Sequence, residues 1–416
     1  MLRSLYSAIS GMRSKQTKLD VIANNISNVN TTGFKGSRVK FHDMLSQTIR
    51  NASAPVGGRA GTNPAQVGLG VAVGGIDTSH VQGALQATGR ISDLAVQGSG
   101  FFVMADGART LFTRDGAFSL SLARELVNAA TGFRVQGWMA DGTGNISTAT
   151  PPTAMQIPLG DSVITQPTTR AEFSGNLNNS PPAGPPAYSH TNTITVFDSK
   201  GEAHQLNVTF TRTGANAWSY AVASTATPPL AVTLTPPATP VLNFDTNGAV
   251  TPATATSGVF SVVVPGAANI SLTLDFNSMT QVAGTSTAVM RFQDGYAPGE
   301  LLSFIIGRGG VITGTYSNGL VRDIGQIALA YFGNPEALLK EGGNFYSVSP
   351  NSGEPLIGVA GSGGRGSIEV GMLEMSNVDL ATEFTEMIST SRAFQANSRT
   401  VSTSDEMLQE LIQLKR

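Results

Sequence analysis

The sequence predicts a mostly β chain with paired terminal α-helices and nested, discontinuous β-domains between them. Three observations carry this. Heptad-spaced apolar residues mark the two ends, whereas short alternating runs broken by Gly, Asp-Gly and Asn-Gly turns fill the interior. The composition also shifts partway along, with 15 of the 21 prolines lying between Pro151 and Pro265.

The first element is a helix from near Met1 to about Asn28. Leu5, Ile9, Met12, Gln16, Leu19, Ala23 and Ile26 follow the four-three spacing that places apolar groups on one stripe. Asn24, Asn25, Asn28, Asn30, Thr31, Thr32 and Gly33 form a polar, turn-rich exit. Residues 34–70 read as a mostly irregular connector anchored by Phe34, Val39, Phe41, Met44 and Leu45, with a Gly- and Ala-rich stretch from Pro55 to Pro64. Such a segment can dock as an extended arm. From Val71 to about Gly144 short strand signals alternate with tight turns at Asp115-Gly116, Thr131-Gly132 and Asp141-Gly142, a β-meander.

Residues 145–285 read as an inserted all-β domain of barrel or sandwich type. They hold only nine Asp, Glu, Lys or Arg, and Pro-Pro pairs at 151, 181, 185, 228 and 236 exclude long helices. Thr193–Phe197 and Gln205–Thr211 flank a turn at Ser199-Lys200-Gly201, and the alternation of Leu206, Val208 and Phe210 makes them a hairpin. The strand pattern resumes through 286–371, with a helical turn or two at Pro335–Gly342. A last helix of roughly 36 residues follows, its stripe made of Leu380, Phe384, Met387, Ser391, Phe394, Ser398, Val401, Asp405, Leu408 and Ile412. Ser376 and Asp379 have capping-box spacing, Glu383 and Glu386 sit in the early turns, and Lys415-Arg416 close the helix. The expected domains are therefore 1–30 with 372–416, a connector at 31–70, 71–144 with 286–371, and 145–285.

A stripe this narrow needs a partner helix, and each terminal helix is the other's nearest candidate. Charge agrees. Residues 1–50 carry eight Lys or Arg against two acids, and residues 369–416 carry eight acids against four bases. Two helices of this length leave much apolar surface over, which points to self-association.

The remaining chemistry is exclusionary. A net charge of −2 argues against a nucleic-acid surface, and the absence of cysteine removes disulfides and thiolate metal sites. Arg3, Arg13, Lys15 and Lys18 interrupt any signal-peptide core, and no apolar run approaches the roughly 18 residues of a membrane span. His42, His80, His190 and His204 are scattered, with no i,i+4 pair and no carboxylate cluster expected beside them, so no metal or cofactor is expected. Asp198, Glu202 and Asp245 are read as turn residues. No catalytic constellation emerges, and the chain reads as a non-enzyme.

The segment ANNISNVNTTGFK at Ala23–Lys35 closely resembles the N-terminal signature of the flagellar rod, hook and hook-associated axial family. Its signature positions here are Asn24, Asn25, Asn28, Asn30, Thr32, Gly33, Phe34 and Lys35. SNVDLATEFTEMISTSRAFQANSRTVSTSDEMLQELIQL, beginning at Ser376, Asn377, Val378 and Asp379, resembles the matching C-terminal signature, and GSGFFVMADG, LFTRDGAFSL and LVNAATGFRVQGWMADGTGN extend the likeness inward. Length and the large insertion are similar to hook members of the family. Leu122-Ala123-Arg124-Glu125 departs from the usual turn there, and a looser hairpin is expected.

The resemblance implies a structural subunit exported through the flagellar apparatus without signal cleavage, polymerising with copies of itself into a curved tube. It implies contact with the distal rod, hook–filament junction proteins, the hook cap and the export apparatus. It also implies helix ends that form the inner tube; because these helices lack partners before polymerisation, they are expected to be disordered in the monomer. A distal rod subunit is the nearest alternative, and an extracellular β-domain adhesin is the alternative from another class.

Overall fold

The computed structural model describes the whole chain except residues 1, 53, 56–59, 143, 161–163, 181–187, 236–239 and 414–416. Lys415, Arg416 and the Pro-Pro pairs at 181, 185 and 236 lie outside the described residues. The chain forms two compact units, one made of residues 1–157, 305–313 and 323–416, the other of residues 158–304 and 314–322.

The first unit holds both long helices, α1 (Leu2–Ser27) and α2 (Leu380–Gln413). They run antiparallel: Asn25 meets Glu383 near one end and Gly11 meets Asn397 further along. α2 begins one residue after Asp379, whose carboxylate accepts the Ala381 N–H at 3.1 Å and the Thr382 hydroxyl at 2.7 Å. Asp379 is thus the N-cap. The expected box starting at Ser376 is not formed, because Ser376 Oγ accepts from the Val378 N–H, ahead of the helix.

Residues 34–70 are more ordered than expected of an irregular connector. Ser37–Asp43 pairs antiparallel with Val71–Thr78, bulging at Lys40/Phe41, and Ser46–Arg50 pairs with Ala65–Gly68. Charged and hydroxyl residues at alternate positions hid the period-2 pattern. Behind them Phe101–Asp106 pairs with Arg109–Thr113, Arg134–Met139 and Leu329–Tyr331, over a core of Phe101, Val103, Phe112, Trp138, Phe332 and Tyr346. The expected helix at 335–342 shrinks to a 3-10 turn at Pro335–Ala337, and Leu339–Gly342 is a strand against Phe345–Ser347. The hairpin at 121–125 is tight rather than loose. Ser121 and Glu125 close it, and Arg124 takes the left-handed conformation (φ 61°) that a three-residue loop requires.

Two late segments tie this unit together. Ser367–Val370 pairs with Leu94–Gln97, and Met372–Glu374 pairs with Leu85–Ala87.

The second unit is a β-sandwich. One sheet orders Val232–Thr235, Thr256–Val262, Ile270–Val282, Arg170–Asn178 and Val289–Gln293; the other orders Ser189–Phe197, Ala203–Arg212, Ala217–Ser224 and Val241–Asn243. Every second residue of the hairpin strands points inward, as the alternation predicts, and Leu206, Val208 and Phe210 are fully buried beside Trp218, Phe173 and Phe276. The hairpin turn is built by Asp198, whose carboxylate accepts the N–H groups of Lys200 (2.8 Å) and Glu202 (2.9 Å).

Candidate assembly element

The stretch leaving α1 and the stretch entering α2 are bound to each other residue by residue. Asn25 is buried at the centre: its amide donates to the Ser37 carbonyl (2.8 Å) and to Glu383 Oε1 (3.0 Å), and its carbonyl accepts the Ser37 N–H (3.0 Å). One α1 side chain thereby satisfies groups on α2 and the first strand. Asn28 bonds back to Asn24 and receives the Thr31 hydroxyl, which shapes the turn; Asn30 is exposed. Thr32 Oγ1 donates to Asp115 Oδ1 at 3.0 Å. Gly33 has φ +67°, and a Cβ there would lie 2.6 Å from the Asp115 backbone nitrogen, so both conformation and space demand glycine. Its N–H donates to the Glu374 carbonyl at 2.7 Å. Asn377 faces this junction from the other end of the chain, accepting the Gly36 N–H (2.9 Å) and donating to the Ser79 carbonyl (2.8 Å). Phe34 is buried beneath the ammonium of Lys340.

Beneath the junction lies an ionic triad. Lys35 Nζ is 2.6 Å from Glu374 Oε1, both side chains fully buried, and Arg114 Nη1 is 3.2 Å from Glu374 Oε2. Lys35 Nζ also reaches the Val81 carbonyl (2.8 Å), Arg114 Nη2 the Gly98 carbonyl (2.8 Å), and the Gly83 N–H donates to Glu374 (2.9 Å), while the buried Arg114 Nε finds no partner. Burial pushes the Lys35 ammonium below its ordinary pKa against the pull of Glu374, and it lowers Arg114 in the same way. His80 packs edge-on to Phe101 and Tyr346; burial, then the nearby Lys35, Arg114 and Lys340, lower it to about 3, so it is neutral at physiological pH. Such a triad is high-stakes. Removing one member of a buried pair typically loses about 3–5 kcal/mol.

The seam between the helices departs from the expected stripes. On α1 the buried positions are Ala8, Gly11, Ser14, Ile22 and Asn25, whereas Leu5, Ile9, Met12, Leu19 and Ile26 are half-buried beside them. On α2, Met387, Phe394, Val401 and Leu408 lie on the inward side as expected. They alternate with Glu383, Thr390, Asn397 and Ser404 in place of Phe384, Ser391, Ser398 and Asp405. Phe384 (50 %), Leu380 (39 %) and Ile412 (69 %) are exposed. The helices have rotated so that small and polar residues meet. A Cβ on Gly11 would sit 2.7 Å from Asn397 Nδ2, and Lys18 pairs with Glu386 at 2.9 Å. Apolar count alone could not find this phase. A lone glycine inside the α1 pattern was the usable signal, since an isolated Gly in a helix marks close packing.

Arg114 and Glu374 were missed because triad members are separated by 79 and 260 residues or more, although Arg114 lies in the quoted LFTRDGAFSL run. The expectation that no histidine has a carboxylate cluster beside it is also corrected. Asp198, Glu202 and His204 converge at the sandwich hairpin, with His204 Nε2 3.3 Å from Asp198 Oδ2. Burial raises the Asp198 carboxyl, but the Glu202 N–H, His204 and the Lys200 N–H outweigh it and leave the acid below its ordinary value. Those bonds build the turn.

Comparison with known proteins agrees at both ends and in between. Residues 5–35 match the flagella basal body rod protein family, 95–169 the flagellar hook protein FlgE/F/G D1 domain, 160–296 the flagellar basal body protein FlaE D2 domain, and 369–414 the flagellar basal body rod FlgEFG protein C-terminal family. The chain is 40 % identical over 449 residues to the flagellar hook protein FlgE of Borreliella burgdorferi and 41 % over 463 residues to that of Treponema pallidum, with 100 % of each chain covered. It is 36 % identical over 421 residues to that of Escherichia coli, covering 98 % of this chain and 99 % of the other. The chain belongs to the flagellar hook protein family. It is a structural subunit of the hook, self-polymerising within the flagellar axial structure, and neither the rod nor the adhesin alternative is favoured. A solved structure, the Helicobacter pylori flagellar hook protein FlgE2, superposes with a TM-score of 0.48 at 15 % identity, covering 70 % of this chain and 100 % of that one. No helix among the described residues is long and apolar enough to cross a membrane.

Proposed function

We propose that the paired helices are the permanent assembly element of the hook tube, and that the β-units form a shell whose contacts slide as the hook bends. The observation that supports this reading best is the leftover apolar surface on an already paired element. Tyr6, Phe384, Ile388, Met407 and Ile412 are each at least half exposed, on helices whose mutual seam is occupied by other residues. In the tube these groups pack as a coiled coil with neighbouring subunits, and the stripes Leu5–Ile26 and Leu380–Ile412 act there. In this reading 1–30 with 372–416 is the helical domain, 31–70 the joining arm, 71–144 with 286–371 one β-domain, and 145–285 the inserted one. Asn24 to Lys35 and Ser376 to Asp379 act as the collar between helices and β-body.

The reading extends to the life of the subunit. It is exported unfolded without a cleaved signal, works outside the cell, meets the distal rod below and the junction proteins above, and is placed beneath the hook cap. It uses no cofactor and performs no catalysis. Electron microscopy of a strain lacking this gene tests it: a rod with no hook is expected, and an intact hook would overturn the reading. Deleting residues 1–28 is expected to abolish tubes while both β-cores stay folded. Strong amide protection of 1–28 and 380–412 in free subunits would refute their being disordered before assembly.

A further inference from the structure

A groove of about 470 Å³ runs along the outer side of α1, away from α2, lined by Tyr6, Ile9, Arg13, Met44, Leu69 and Val73 among others. Tyr6, Met44, Leu69 and Val73 are each exposed by a third or more. The Arg13 guanidinium at its edge has no carboxylate partner among the described residues. The same helix pair carries a complementary feature elsewhere. The register set by Asn25–Glu383 and Gly11–Asn397 carries the stretch from Met407 to Gln413 past the first turn of α1. That stretch presents Met407 (57 % exposed) and Ile412 (69 % exposed) with Glu410, and Glu406 directly precedes it; neither carboxylate makes an ion pair with a described residue. One feature is an apolar hollow with a spare cation, the other an apolar ridge with spare anions.

We propose that the end of α2 of a second copy fills this groove, with Ile412 and Met407 on its apolar floor and Glu410 beside Arg13. The inference rests on the assembly reading above and specifies its contact. The ridge cannot reach its own groove. Ile9 and Arg13 lie level with residues near 397, roughly 20 Å along the helix axis from Glu410 at 1.5 Å per residue, and α2 is a continuous helix throughout. Because groove and ridge are different surfaces, the contact is head-to-tail. A head-to-tail contact that does not close gives an open helical array, the form a tube needs.

The chain has no cysteine, so engineered pairs report without background. The full-length double variant Tyr6→Cys with Ile412→Cys, oxidised after polymerisation, is expected to give a ladder of covalent multimers on a non-reducing gel. Mixed single variants should give dimers only, and each single variant alone should give none. Charge exchange supplies a second measurement. Arg13→Glu alone and Glu410→Arg alone are each expected to slow polymerisation, read by light scattering, at least tenfold, while their equimolar mixture recovers because each groove then meets an opposite charge. Tubes that form without cross-links, or single variants that polymerise at the wild-type rate, would overturn the groove contact and leave the assembly reading standing. Wild-type chain that forms no tubes at all would fail the assembly reading itself.

Discussion

The sandwich unit and the helix pair put their periodic apolar residues to opposite uses. In the sandwich, the period-2 pattern ends where it points: Leu206, Val208, Phe210, Trp218, Leu272 and Phe276 are wholly shielded within one chain. In the helix pair the period-3.5 pattern is only partly consumed, since Gly11, Asn25, Asn397 and Ser404 take seam positions while Phe384 and Ile412 face outward. The difference teaches that one unit is finished by its own fold, whereas the other is held in register by polar and close-packed contacts and left apolar on the outside. A joint that bends needs both kinds of part.

The contrast is broken most forcefully at the ionic triad. Glu374→Ala leaves Lys35 and Arg114 buried without a counter-charge, and a loss of about 3–5 kcal/mol from the first unit is expected. The chain has two tryptophans, Trp138 in the first unit and Trp218 in the second. Fluorotryptophan NMR during urea unfolding therefore reads the units separately. The Trp138 transition should move to lower urea and the Trp218 transition should stay. Movement of both together would show that the two units are one cooperative body and end the contrast.

Leu206→Ala is the converse, expected to remove about 3 kcal/mol from the sandwich because Leu206 is fully buried among Ile194, Phe210 and Trp218. Here only the Trp218 transition should shift. Wild-type behaviour in both transitions would mean the sandwich does not rely on its interior in the way its burial indicates.

How much of this was readable from the sequence follows the same division. The sandwich hairpin was legible because strand alternation is local: Thr193–Phe197 and Gln205–Thr211 need only each other and a turn at 199–201. The helices were legible as elements, within a residue or two at their described ends, because their period is also local. Their mutual phase was not. Heptad counting rewards Phe384 and Ile9 for being apolar, but the paired surface is chosen by how closely two backbones can approach, which favours Gly11 opposite Asn397. The collar was half legible. Asn25 and Lys35 belong to a recognisable run, yet their roles depend on Glu383 and Glu374, more than 330 residues away, and no local pattern points there. Within 34–70, Ser37–Asp43 was missed because it completes its pairing with Val71–Thr78, across an intervening segment that holds the separate pair Ser46–Arg50 and Ala65–Gly68.

The seam itself is sharpened by Gly11. In an isolated helix, replacing glycine by a larger residue would gain up to about 1 kcal/mol, but here a side chain must displace Asn397. Gly11→Leu is expected to weaken helix pairing by about 1–3 kcal/mol through overpacking. In assembled protein this reads as faster hydrogen exchange across 5–20 and 390–405, and Asn397→Ala in the same chain should recover part of the loss. Unchanged exchange in Gly11→Leu would mean that the close approach does not set the register.

The smallest effect tests the polar end of the seam by its sign alone. Glu383 is raised above its ordinary carboxyl value, first by burial and then by Glu386 and Asp379, against the Asn25 hydrogen bond and Lys18. A carboxyl raised on folding binds its proton more tightly in the folded state, so between the ordinary and the raised value the folded helix pair holds more protons than the unfolded one. Stability of the pair then falls as pH rises through that window, and lowering the pH toward it should slow hydrogen exchange around Asn25 and Glu383. Glu383→Gln keeps the Asn25 contact without the charge. It should be slightly more stable than wild type at neutral pH, and this local pH dependence should vanish. Unlike the sandwich, whose ladder of buried apolar residues has no such proton to exchange, the helix seam would then be shown to carry a small charge penalty in return for register. Retention of the same pH slope in Glu383→Gln would assign it to another group at the junction.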